Sequence, residues 1–183
     1  MSPIYFRSSR LAAAVGAGLL CATLCAQVTP TPTLTPDQPA ANESNLSHHD
    51  VAFLKKAAKA GNKEIQVSQA VMDHLTSPQF KQFAQTMVTD HTAVAAELAT
   101  LAASKGVKLP EPDTTVGDDW AKKTDDVDRR YIKEMVSDHK EAVKLFEKAS
   151  ESKDADIAAW AQKTLPTLQH HLSMALDLEK SVE

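Results

Sequence analysis

The stretch MVTDH at residues 87–91 returns as MVSDH at residues 135–139, forty-eight positions later. Each copy sits inside a longer match. Aligning residues 80–104 on 128–152 pairs Phe83 with Tyr131, Met87 with Met135, Asp90 with Asp138, His91 with His139 and Leu98 with Phe146. In both copies the apolar residues recur at intervals of three and four, the period of a helix that buries one face. The repeat predicts two helices of one kind, each with a histidine on its buried stripe.

The flanking composition extends this to the whole domain. From residue 47 onward Ala, Lys, Glu, Gln and Leu dominate, glycine occurs only at 61, 106 and 117, and no alternating β-branched run appears. The folded part is predicted to be all-α. Ser47 followed by Asp50 resembles a capping box and opens a first helix carrying Val51, Leu54, Ala58, Gly61, Ile65, Ser68, Met72 and Leu75 at helical spacing. Ser77-Pro78, an N-cap followed by proline at the first helical position, opens the second, and Gly106 closes it. The third runs from about Asp125 to Ser152. The fourth runs from Asp154 or Asp156 to the C-terminus, with Ile157, Trp160, Thr164, Leu168, Ala175 and Leu178 inward and a kink expected at Pro166.

Residues 107–124, VKLPEPDTTVGDDWAKKT, hold two prolines and a glycine, show weak periodicity and read as a long connection. Short, long and short connections in that order predict a ferritin-like four-helix bundle with one crossover between the second and third helices. Such a segment stretches to about 60 Å, beyond the roughly 40 Å of the second helix, so the third helix can run parallel to it. The repeat favours that topology, because it sets His91 and His139 at equal heights.

His91, His139 and His171 each fall on an apolar stripe near the middle of a helix, and Glu64 lies at the edge of the first helix's stripe. One inward polar group per helix is more than an apolar core requires. Imidazoles and a carboxylate gathered in a bundle core suit a divalent transition metal such as zinc, copper or iron. Asp90 and Asp138 are candidates to hold the ring nitrogens that do not bind the metal. Adjacent residues on a helix point about 100° apart, so each would serve a histidine of another helix. The same residues suit a metal-free buried His/Asp network that fixes helix register. Both readings stand.

No Glu-x-x-His occurs, which argues against a carboxylate-bridged di-iron oxidase. His48, His49 and His74 read as surface residues, and His170 flanks the buried face. Met72, Met87, Met135 and Met174 read as core filling. No Ser/His/Asp ordering, glycine-rich phosphate loop or catalytic cysteine is present, and no catalytic residue is nominated.

Residues 1–26 read as a signal peptide. They carry Arg7 and Arg10, no acid, and an apolar run from Leu11 to Leu24 too short for a confident span, with cleavage after Ala26. Processing removes both cysteines. A lipid anchor on Cys25 is the alternative, and the bulky Leu24 before it argues against that. Residues 27–46, with four prolines, read as a disordered tether, leaving 47–183 as the bundle domain. The expected location is periplasmic or secreted, with no transmembrane segment in the mature chain. Loss of the two arginines takes the balance from 20 basic and 24 acidic residues to 18 and 24, so the net charge moves from −4 to −6 and offers no basic patch for nucleic acid. A protein partner is unspecified, and a homodimer is one state compatible with the sequence.

The segments KKAAKAGNKEIQVSQAV, FAQTMVTDHTAVAAEL, YIKEMVSDHKEAVKLFEKAS and KTLPTLQHHLSMA resemble the bacterial envelope proteins grouped as domain of unknown function 4142, over about residues 48–180. The resemblance implies a ferritin-like bundle, export from the cytoplasm and no established biochemical activity. The family label "predicted outer membrane protein" finds no transmembrane β-strand pattern here. Two functions remain: metal buffering or stress protection in the envelope, and a non-catalytic structural or interaction module.

Overall fold

The computed structural model describes residues 46–122 and 125–182, all within one compact unit spanning 39–183. The signal peptide and nearly all of the tether lie outside the described residues. Those described are all-α: α1 His48–Val71, α2 Pro78–Ser104, α3 Thr115–Ala121, α4 Val127–Ala149 and α5 Ala155–Glu179.

Local chemistry sets the helix ends. Ser47 Oγ accepts from the Asp50 amide and donates back to its carboxylate, so the first turn of α1 has its free N–H groups partly satisfied. Ser77 caps α2 ahead of Pro78, and the Asp154 carboxylate accepts from the Asp156 and Ile157 amides to start α5. Beyond α2, Gly106 adopts φ +66, and Val107 N donates to Ala102 O across the turn. A Cβ at Gly106 would touch nothing within 4 Å, so Gly106→Ala isolates the left-handed backbone penalty. We expect a loss of about 1–2 kcal/mol, read as a lower urea midpoint at unchanged m-value.

The packing order follows from ion pairs and hydrogen bonds between helices. Along the α1/α4 seam Lys63 meets Asp138 and Ser68 meets Tyr131, so rising numbers on one helix meet falling numbers on the other. The same holds for Asp90 with His171 and Glu97 with Lys163 on the α2/α5 seam. Helices α1 and α2 reverse direction through residues 72–77, and α4 and α5 through residues 150–154. Both α2 and α4 are therefore antiparallel to α1 and parallel to each other. They occupy opposite corners, since α1 packs on α2 and α4, and α5 packs on the same two.

The crossover differs from the sequence reading by about two turns of helix. In α3, Gly117 lies close over α1, where an added Cβ would stand 3.6 Å from the Gln66 carbonyl oxygen, and the Arg130 guanidinium stacks 4.3 Å from the Trp120 ring. A helix this short does not hold in isolation, so packing on α1 forms it, and no periodicity announces it. The third long helix is also shorter than expected, because Asp126 at φ 49 breaks the helical path before Val127, and Ser150–Ser152 form the turn into α5. Helix α5 continues through Pro166.

The apolar core falls into two clusters. One holds Val67, Phe83, Met87, Tyr131 and Met135, and the other Leu54, Leu98, Phe146, Ile157 and Trp160. In the second, Phe146 packs edge-on to Phe53 at 5.1 Å and 5.3 Å from Trp160. Between the clusters lies a polar layer.

Candidate metal centre

The polar layer contains Glu64 from α1, His91 from α2, His139 from α4 and His171 from α5, none more than 3% exposed. Each lies on the same helical face as large apolar neighbours, so burying that face carries the polar group inward with it. The three imidazoles form a near-equilateral triangle, with ring centroids 5.3, 5.4 and 5.5 Å apart.

Each ring has one nitrogen held by oxygen. His139 Nδ1 lies 2.9 Å from the Met135 carbonyl, which only accepts, so the proton is on Nδ1 and the Nε2 lone pair is bare. His171 Nε2 donates to the Asp90 carboxylate at 2.9 Å. His91 Nδ1 lies 3.2 Å from Glu64 Oε2, and Glu64 Oε1 is 3.4 Å from His139 Nδ1. The remaining nitrogens, His91 Nε2, His139 Nε2 and His171 Nδ1, are buried without a hydrogen-bond partner. A buried unsatisfied polar atom costs about 1–3 kcal/mol, and three occur together.

One nitrogen from each ring lies within 4.8 Å of the other two. Metal–nitrogen bonds of about 2.0 Å in a trigonal plane set the nitrogens about 3.5 Å apart, so modest inward rotation of the rings closes the site. The donor set is chemically right for a first-row transition metal: neutral imidazoles whose second nitrogens are fixed by carboxylate or carbonyl oxygen.

Electrostatics reinforce the picture. Burial holds His91 down at about 3 and His139 at about 4, with the neighbouring imidazoles adding to the effect, so both are neutral near pH 7. His171 is also lowered by burial, against the pull of Asp90. Burial, aided by Asp138, pushes Glu64 up to about 8.

The roles differ in part from the sequence assignment. Glu64 is fully inside the layer, not at its edge, and its oxygens face the Nδ1 edges of His91 and His139, away from the bare nitrogens. Asp90 reaches a histidine of another helix. Asp138 reaches none, because Lys63 of α1 takes both it and Glu134. His48, His49, His74 and His170 are exposed. Two partners carried no local signal: the Met135 carbonyl, and the buried Ser68–Tyr131 hydrogen bond of 2.8 Å one turn below the layer.

A family model described as Domain of unknown function (DUF4142) matches residues 35–178. The chain belongs to the DUF4142 family. The match spans most of the chain and includes all four residues of the polar layer. Neither the curated proteins nor the solved structures offer a match to this DUF4142 chain. No helix among the described residues of this DUF4142 domain is long and apolar enough to cross a membrane.

Proposed function

We propose that this DUF4142 domain binds one transition-metal ion through His91 Nε2, His139 Nε2 and His171 Nδ1, with Glu64 and Asp90 orienting the rings, and that it buffers that metal in the bacterial envelope. The observation that carries this reading is the triangle of buried imidazoles, close enough to share one ion and each with one bare ring nitrogen while its other nitrogen is held by oxygen. A purely structural network would be expected to satisfy those atoms within the protein. The signal-like residues 1–26 and the tether at 27–46 support export, and the long crossover between α2 and α4 supports a ferritin-like ancestry.

Metal analysis of tag-free protein, together with thermal melts in chelator and in each metal, tests the binding. A metal at 100 times its dissociation constant should raise stability by about 2.7 kcal/mol, because it binds only the folded state. No shift with zinc, copper or iron would leave the rival reading, a metal-free envelope module. That rival draws on Glu64, which touches histidines from two helices and so ties α1 to α2 and α4.

A further inference from the structure

We infer that the cleft between α1, α4 and the crossover binds a short peptide with free termini, about three residues long. The site is separate from the three-histidine layer and draws nothing from the metal reading. The cleft holds a cavity of about 710 Å³, within the roughly 300–1,000 Å³ of pockets that take small molecules. Two alanines make the room. Ala60 of α1 and Ala142 of α4 both line it, and with only a methyl group on each side the helix seam stays hollow, while Leu145 and Val116 complete an apolar floor.

Charge is sorted by wall. The α1 wall carries Lys56, Lys59 and Lys63, spaced three and four apart on one helical face, and no acid. Across from it stand Asp138 and Glu141 of α4, with Glu111 and Asp113 of the crossover, and no base. Some of these groups are taken. Lys63 pairs with Asp138, and the Asp113 carboxylate accepts from the Thr115 amide and hydroxyl. Among the described residues, Lys56, Lys59, Glu111 and Glu141 make no ion pair.

Two ammonium groups on one wall and two carboxylates on the others call for a ligand that carries both signs and no net charge. An anion would meet Glu111 and Glu141, and a cation would meet the lysines. Packed helix axes stand about 8–10 Å apart, close to the span of three extended residues and well beyond the roughly 3 Å between the two charges of a free amino acid. That distance selects a peptide. Pro110 and Pro112 bracket Glu111, fixing φ on both sides and holding Glu111 extended, so this wall is stiff before the ligand arrives.

The test is an NMR titration of the full-length chain in chelator, with trialanine as the probe. We expect a dissociation constant of about 1 mM or tighter, read from the backbone amides of Ala60 and Ala142. N-acetylated trialanine and trialanine amide should each bind at least about threefold more weakly, roughly what one exposed ion pair supplies, and free alanine at least about tenfold more weakly. Lys56→Met with Lys59→Met should erase the difference between free acid and amide while keeping that between free and acetylated amine. Glu111→Gln with Glu141→Gln should do the reverse. Absence of shifts at Ala60 and Ala142 in about 10 mM trialanine, capped peptides that bind as well as the free one, or discrimination unchanged in both variants would overturn the assignment. The capped series needs only the wild type, so it decides even where a variant does not fold.

Discussion

Changing His91 and His139 together to alanine should abolish any metal-linked gain in stability and lower the metal-free protein by about 3–5 kcal/mol. Both effects come from one arrangement. The two rings supply two of the three bare nitrogens, so the double variant keeps a single imidazole, too little to compete with water for an ion. The same rings are the neighbours of Glu64, which is 2% exposed. Removing them leaves a carboxyl group buried against two new cavities. Thermal melts of wild type and double variant, in chelator and in each metal, separate the contributions. A metal-dependent shift that survives in the double variant would place the site elsewhere. Equal loss with and without metal in a wild type that shows no shift would mark the histidines as architecture alone.

Stability of the metal-free protein should peak near pH 6.5 and fall on both sides. The histidines set the acid limb. His91 and His139 take up protons at about 6.5 when unfolded but only at about 3 and 4 when folded, so their stabilisation is complete above pH 6.5 and is lost as pH falls toward 4. Glu64 opposes this. Its folded value of about 8 exceeds the ordinary 4.5, so the folded state holds the extra proton, and that contribution is lost as pH rises from 4.5 to 8. Between 4.5 and 6.5 His91 and His139, joined by His171, which burial also lowers, outweigh Glu64, and stability rises with pH by at least about 1 kcal/mol per pH unit. Above 6.5 the histidine contribution is saturated and Glu64 alone remains, giving a decline of about 2 kcal/mol by pH 8. Urea midpoints across that range in chelator measure the curve. Glu64→Gln should flatten the alkaline limb, and a limb unchanged by that substitution would assign it to another group.

Much of the fold was legible because its determinants are local. Ser47, Ser77, Asp154 and Gly106 sit at helix ends where side-chain and backbone chemistry act within a few residues, and all four take the positions their residue types predict. The inward histidines were legible for a related reason: helical period alone places them with Met87, Met135 and Leu168. The phase of α1 was harder to read. The spacing sets Ile65 on the stripe and Glu64 at its edge, but Val67 and Val71, fully buried, pull the face round so that Glu64 lies inside while Ile65 stays partly exposed. The pairing of Lys63 with Asp138 joins residues 75 positions apart, and nothing near either one announces it. Helix α3 escaped notice because tertiary contact, not sequence period, makes it a helix.

Every long helix gives one side chain to the layer between the two apolar clusters, and this has a kinetic consequence. A terminal turn can fray, or the crossover detach, without disturbing the layer, but no long helix can leave without dismantling it. The backbone amides of Glu64, His91, His139 and His171 should therefore exchange with solvent deuterium only through the rarest, whole-domain opening, all four at one common rate. An ion lodged among those rings would bind only the folded domain and so make that whole-domain opening rarer still.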